Sequence, residues 1–240
     1  MNNSFLEKFL NQDFGVLALI DPDFKNDDIL DELINSINMN NFSGVLVGGS
    51  TISDKNYHLR IKKIKKYINK PLILFPGSSE QISKYADAIL FTTLLSGRNP
   101  KYLIEEQIKG VERIDNYKLT VISTGYLLIA SDHKTSVETT SQTTALDPND
   151  FSNILNHVLV AEYFGMKFVY LEMGSGAKYP VSYKLVNHLT KKVNIPIIVG
   201  GGIKHKDQLI ELKEAGAKYV VLSTVLEQNP NVNDIASILP

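Results

Sequence analysis

The chain has no cysteine. Disulfides, zinc–thiolate sites and cysteine nucleophiles are therefore excluded, and the absence is compatible with cytosol. No apolar run approaches the ~20 residues that a membrane helix needs. The N-terminus, Met1-Asn2-Asn3-Ser4-Phe5-Leu6-Glu7-Lys8, lacks the basic stretch and apolar core of a signal peptide. Charge of one sign is also missing. The formal net charge is -1 over 240 residues, so no global field draws nucleic acid. A soluble, cytoplasmic protein is expected, and a peripheral contact with a membrane stays open. The basic cluster Lys62-Lys63-Ile64-Lys65-Lys66 is interleaved at helical spacing with Leu59, Ile61, Tyr67 and Ile68, which reads as a solvated helix face. The histidines, His58, His133, His157, His188 and His205, show no metal-ligand spacing.

What is present is alternation. Short apolar, β-branched runs recur at 15–20, 44–47, 71–75, 88–91 and 168–171, and within 195–203 and 215–224. Segments of helical period lie between many of them: one opened by Asp27 and Asp28, the lysine-rich stretch, 101–114, 151–164, 181–191, and one carrying Leu209, Ile210 and Leu212. The runs 119–123 and 126–130 read as extended on either side of Gly125. Strand–helix alternation argues an α/β protein with a parallel sheet. About eight strands in 240 residues favours a closed (β/α)8 barrel over an open sheet. No Gly-x-Gly-x-x-Gly follows the first strand, which speaks against a dinucleotide site. The polar stretch 131–150 is long for a loop, as lids and binding loops are.

In such a barrel the active site lies at the C-terminal ends of the strands. This chain places there Asp21 and Asp23, Ser50 and Thr51, Thr92 and Thr93, Glu172 and Ser175, Gly201 and Gly202, and Ser223 and Thr224. The last two strands, ending in Gly200-Gly201-Gly202 and Ser223-Thr224, suit a phosphate, because glycine lets backbone N–H groups come close. A carboxylate and a hydroxyl, Asp21 and Ser50, suit a hard cation such as Mg²⁺. Asp21-Pro22-Asp23 reads equally as a turn with a helix cap, and Gly48-Gly49-Ser50 as a turn. Glu172 ends an apolar strand, where an unpaired carboxylate is costly.

Four segments, in order along nearly the whole chain, resemble the geranylgeranylglyceryl phosphate synthases and the related heptaprenylglyceryl phosphate synthases. They are Leu19-Ile20-Asp21-Pro22-Asp23, Val47-Gly48-Gly49-Ser50, Tyr170-Leu171-Glu172-Met173-Gly174-Ser175-Gly176-Ala177 and Val199-Gly200-Gly201-Gly202-Ile203. The resemblance implies a single modified (β/α)8 TIM barrel over residues 1–240. It implies transfer of a geranylgeranyl group from its diphosphate to the C3 hydroxyl of sn-glycerol 1-phosphate, with Mg²⁺. Carried over, Asp21 and Ser50 match the metal positions. Tyr170, Leu171, Glu172, Met173, Gly174, Ser175, Gly176, Gly201, Gly202, Ser223 and Thr224 match the glycerol-phosphate positions. Three points of comparison stand out. Phe24 follows Asp23 where the family commonly has Lys, with Lys25 one place later. Ser223-Thr224 stands for a Gly-Thr or Gly-Asn. Thr135-Ser136-Val137-Glu138 fits the version of the family with Ser-Val-Glu.

Prenyl transfer needs a base for the acceptor hydroxyl, for which Glu172 is the candidate, and an apolar groove. Leu94, Leu95, Tyr126 and Tyr163 are candidate lining, though each reads more readily as ordinary core. A homo-oligomer, a dimer or a hexamer, is expected. The rival readings are an isomerase or lyase acting on a small phosphorylated metabolite, and a non-catalytic barrel that binds a phosphate ligand.

Overall fold

The computed structural model describes residues 3–49, 51 and 54–239. The strands are β1 (Gly15–Ile20), β2 (Gly44–Val47), β3 (Leu72–Leu74), β4 (Ala88–Leu94), β5 (Thr120–Leu128), β6 (Phe168–Glu172), β7 (Ile197–Gly200) and β8 (Tyr219–Leu222). All pair in parallel in chain order, and β8 returns to β1 through Gly15↔Tyr219 and Val16↔Val220, so the sheet closes. The alternation of strand side chains makes two apolar layers. Leu17, Leu46, Ile73, Leu90 and Ile198 fill the barrel interior. Val16, Val45, Ile89, Val169 and Val220 face outward, against Leu33, Ile61, Ile154 and Leu209 of the surrounding helices.

Those helices are α1 (Asn3–Asn11), α2 (Leu30–Met39), α3 (Tyr57–Tyr67), α4 (Glu106–Asn116), α5 (Ser136–Ser141), α6 (Phe151–Tyr163), α7 (Tyr183–Thr190), α8 (Lys206–Glu214), α9 (Thr224–Gln228) and α10 (Val232–Ile238). The first closes the N-terminal end of the barrel. Phe9 stacks on Tyr219 at 4.3 Å between ring centroids and meets Phe168 edge-on at 5.5 Å. The Tyr219 hydroxyl donates to the Phe9 carbonyl at 2.8 Å.

Several sequence expectations are corrected. The two extended runs around Gly125 form one strand, β5, because Gly125 packs its bare Cα under Ala161 and Leu95 without breaking the ladder. Strand β4 runs past Thr92 and Thr93 to Leu94, paired throughout with β5. The expected 101–114 helix opens with a π-helical turn, Lys101–Glu105, before α4. Asp27 and Asp28 lie in a turn after a 3-10 helix, Phe24–Asn26, and α2 starts at Leu30. The stretch 131–150 contains α5, held by a capping box in which Thr135 and Glu138 satisfy each other's backbone N–H. Leu59 and Tyr67 of α3 are exposed, while Ile61 and Ile64 are buried.

One interruption positions the site. Between β3 and β4 the chain makes only a 3-10 turn, Ser79–Gln81, where a regular barrel has a helix. The outer faces of Ile89 and Phe91 are therefore not covered by a helix of their own. Helix α4 leans across onto the turn instead. The Ser79 N–H donates to Glu106 at 2.7 Å, and Arg113 donates to the Ser79 carbonyl at 3.0 Å.

Candidate active site

The C-terminal mouth of the barrel opens into a cavity of about 500 Å³. Its parts come from different strands. Beyond β6, β7 and β8 lie Gly174, Ser175 and Gly176, then Gly201 and Gly202, then Ser223 and Thr224, and all of them line the cavity. Gly201 and Gly202 have φ of +85° and +72°, a backbone region that side chains disfavour. A Cβ on Gly202 would also run into the Tyr179 carbonyl. The Ser175 and Thr224 hydroxyls meet at 2.9 Å and join the β6 and β8 loops. The Gly174 N–H is taken by Glu172, and the remaining polar backbone and hydroxyls of these loops make a cradle for an anion.

Glu172 stands at the end of β6, in register with Leu128 of β5 and Gly200 of β7. It is 8% exposed, and its Oε1 accepts the Gly174 N–H at 2.6 Å. Burial pushes its carboxyl up to about 7, although the Gly174 N–H and Tyr170 favour the ionised form. That is the value of a general base at neutral pH. The buried Tyr170 hydroxyl lies close enough to influence Glu172, yet it has no hydrogen-bond partner of good geometry. Burial, and then the Glu172 charge, hold the Tyr126 and Tyr170 hydroxyls well above the usual tyrosine range, so both are neutral.

Beside the β8 loop, Asp21 follows β1 and pairs with Lys25 at 3.1 Å. Burial raises its carboxyl, Lys25 lowers it, and Asp23 and Glu227 raise it further. Gly49 stands against Asp21 so closely that a Cβ would overlap Oδ1. Buried Gln81 fixes this corner. Its Nε2 donates to the Gly49 carbonyl at 2.8 Å and its Oε1 accepts the Gly77 N–H at 2.8 Å. Ser50, the second expected metal residue, lies outside the described residues. Among the described residues no three His, Asp or Glu side chains converge as a metal cage.

A third part is apolar. The cavity continues between β4 and α4 along Ile82, Ile89, Phe91, Gly110 and Ile114, through the gap left by the missing helix. Over the mouth, His133, Lys134, Thr135 and Val137 form a roof. The roof is tied down by the Asp132 carboxylate, which accepts the Lys178 N–H at 3.1 Å, and by the Thr135 methyl against Gly174.

The expected site residues are thus largely gathered. Tyr170, Glu172, Gly174, Ser175, Gly176, Gly201, Gly202, Ser223, Thr224 and Asp21 all line the cavity. Leu171 and Met173 belong instead to the outer apolar layer, because side chains alternate along a strand. Of the groove candidates, Leu94 and Tyr126 line the cavity. Leu95 is buried in the outer layer, and Tyr163 is 79% exposed at the end of α6. Phe75, Gln81 and Gly110 were not singled out by sequence, since they act through contacts between segments far apart in the chain. The missing helical period after Pro76-Gly77-Ser78 was the available signal.

The sequence pattern of the PcrB family matches residues 9–239. The chain belongs to the PcrB family. Among PcrB relatives, the geranylgeranylglyceryl phosphate synthase of Flavobacterium johnsoniae is 39% identical over 234 residues, 98% of this chain and 96% of that protein. The structure of (S)-3-O-geranylgeranylglyceryl phosphate synthase from Thermoplasma acidophilum, in complex with its substrate sn-glycerol 1-phosphate, superposes with a TM-score of 0.90 at 32% identity. It covers 98% of this PcrB chain and 95% of its own. Wild-type GGGPS from Thermoplasma volcanium gives a TM-score of 0.87 at 31% identity, over 98% and 93% of the two chains.

Proposed function

We propose that this PcrB protein transfers a geranylgeranyl group from its diphosphate to the C3 hydroxyl of sn-glycerol 1-phosphate, releasing diphosphate. The observation that carries the proposal is the position of Glu172, a buried carboxylate with its pKa near 7, between a phosphate cradle and an apolar arm. The phosphate of the acceptor sits on the Gly174–Gly176, Gly201–Gly202 and Ser223–Thr224 loops. Its C3 hydroxyl then faces Glu172, whose Oε1 is held by Gly174 and whose Oε2 takes the proton. The bond from the prenyl C1 to the diphosphate breaks with its electron pair leaving on the diphosphate, and C1 bonds to the glycerol oxygen. The prenyl tail lies along Ile82, Ile89, Phe91 and Ile114. The His133–Val137 roof excludes water, which would otherwise capture C1.

Asp21 and Lys25 hold the diphosphate half. A Mg²⁺ bound to a substrate diphosphate needs only one or two protein carboxylates, not a cage. Asp21 fits as an oxygen donor that lines the cavity, with Asp23 and Glu227 close enough to add to the negative charge around it and Lys25 to offset part of it. When bound there, the ion would offset charge on the leaving group. Ser50 is proposed as its second ligand.

An isomerase of small phosphorylated metabolites has no use for the apolar arm. We place the reaction in the cytoplasm. We further propose a homo-oligomer, supported by the exposed stripe Ile104, Ile108 and Val111 along α4 and its preceding turn. The test is diphosphate release in the presence of Mg²⁺. It should require both substrates and yield an ether of the summed mass less diphosphate. Release that proceeds equally without glycerol phosphate would contradict the proposal.

A further inference from the structure

Three aromatic rings from three strands meet in the mouth of the barrel. Phe75 at the end of β3 stacks on Tyr170 of β6, with centroids 5.0 Å apart and planes at 26°. Tyr126 of β5 stands edge-on to both, 5.6 Å from Phe75 and 5.4 Å from Tyr170. All three line the cavity, and Phe75 is the half-buried member that faces the open space. Barrel layers are usually filled by branched aliphatic side chains, which pack as well without a π face. The arrangement is also polarised. Tyr170 is two residues before Glu172 on the same face of β6, and its hydroxyl is buried without a partner. Phase and place agree on the other side. Phe75 follows β3, whose neighbour β2 is followed by Gly48, against Phe75, and Gly49, against Asp21. The cluster therefore spans the ground between the corner assigned to the diphosphate and the carboxylate assigned to the acceptor hydroxyl.

We propose that Phe75 and Tyr126, backed by Tyr170, are catalytic residues that stabilise the positive charge on the allylic C1 as it passes from the diphosphate to the glycerol oxygen. The inference rests on the prenyl-transfer reading. As the C1–oxygen bond to the diphosphate breaks, the electron pair leaves with the diphosphate and C1 becomes electron-poor. The negative faces of the rings attract it without being able to bond to it irreversibly. The new C1–oxygen bond then forms, and the proton of the acceptor hydroxyl goes to Glu172. A carboxylate in the same place would capture the cation. The rings stabilise it and let the acceptor compete.

The test replaces Phe75 with phenylalanine bearing one, two and three ring fluorines, which withdraw charge from the face and leave the shape nearly unchanged. The single-turnover rate of ether formation is expected to fall stepwise, by about tenfold over the series, the size of a desolvated cation–π contact. The melting temperature and the Kd for sn-glycerol 1-phosphate should stay constant. A prenyl ammonium salt with inorganic diphosphate, a mimic of the cation, should bind progressively more weakly along the series. The unreactive prenyl thiodiphosphate should bind equally well throughout. A flat rate with flat ammonium affinity would reduce the rings to packing and overturn the proposal. Equal weakening of the ammonium and thiodiphosphate ligands would overturn it too, as a change of shape. If the unmodified protein makes no ether from any prenyl diphosphate, the reading beneath the proposal fails and takes it along. That result is distinct from a flat series in an active protein.

Discussion

Glu172 carries a cost that its proposed role as the base explains. Its carboxyl is raised from 4.5 to about 7 by burial. Between those two values the folded state holds a proton that the unfolded state has lost, so stability falls as pH rises through the window and levels off above about 7. The loss amounts to about 3 kcal/mol at most. Glu172→Gln keeps the acceptor for the Gly174 N–H and removes the charge. It should raise the melting temperature by several degrees at pH 8 and by less at pH 5, and lower turnover by about 100-fold or more. In the unmodified protein, kcat/KM should climb with pH through about 7, following ionisation of the base. A variant with unchanged turnover would remove Glu172 from the mechanism. Asp21 gives a second test. Asp21→Asn should weaken prenyl diphosphate binding and raise the Mg²⁺ concentration for half-maximal rate, since an amide is a poorer ligand for a hard cation. The Kd for glycerol 1-phosphate should barely move. A normal Mg²⁺ profile with a lowered melting temperature would leave Asp21 as a turn residue paired with Lys25.

At the scale of elements, the site depends on one missing helix. The turn Ser79–Gln81 leaves the outer face of β4 to α4, and Gly110 of α4 lies beside Ile82 where the apolar arm runs. Gly110→Phe should fill the arm. Turnover with geranylgeranyl diphosphate should fall by at least tenfold while a shorter prenyl diphosphate keeps most of its rate, a split read by comparing kcat/KM for the two. Equal losses would place the tail elsewhere. Strands such as β2 and β7 were legible in the sequence because each is an unbroken apolar run buried on both faces. Their polar ends were legible for the same reason, since Glu172 and Gly201 follow such runs directly. That the two runs around Gly125 form one strand was not legible, because its packing under Ala161 is a tertiary fact. Helix α5 was hidden among polar residues, its start fixed by the Thr135–Glu138 capping box rather than by apolar period.

The whole molecule is a closed barrel with a plugged base and a divided mouth. Phe9 of α1 packs against Tyr219 and Phe168 at the N-terminal end, 210 residues away in sequence from its hydrogen-bond partner. Nothing in the first residues announced that role, since an amphipathic N-terminal helix reads the same whether it plugs a barrel or lies on its surface. Closure sets the end of β1 beside that of β8 and the end of β2 across from that of β6, so that Asp21 and the glycine loops line one cavity. On the proposed reading the labour is divided among these loops: an anion cradle after β6, β7 and β8, a cation corner beside it after β1, the base at the end of β6, the aromatic rings from β3, β5 and β6, and an apolar arm leading out under α4. The most direct measurement is the mass of the product formed from sn-glycerol 1-phosphate and a ladder of prenyl diphosphates, with Mg²⁺, by the unmodified protein and by Glu172→Gln. The account predicts a prenyl ether of glycerol phosphate, most abundant with the geranylgeranyl donor and nearly absent with the variant. Prenyl alcohol alone, or unreacted substrates, from the unmodified protein would contradict it.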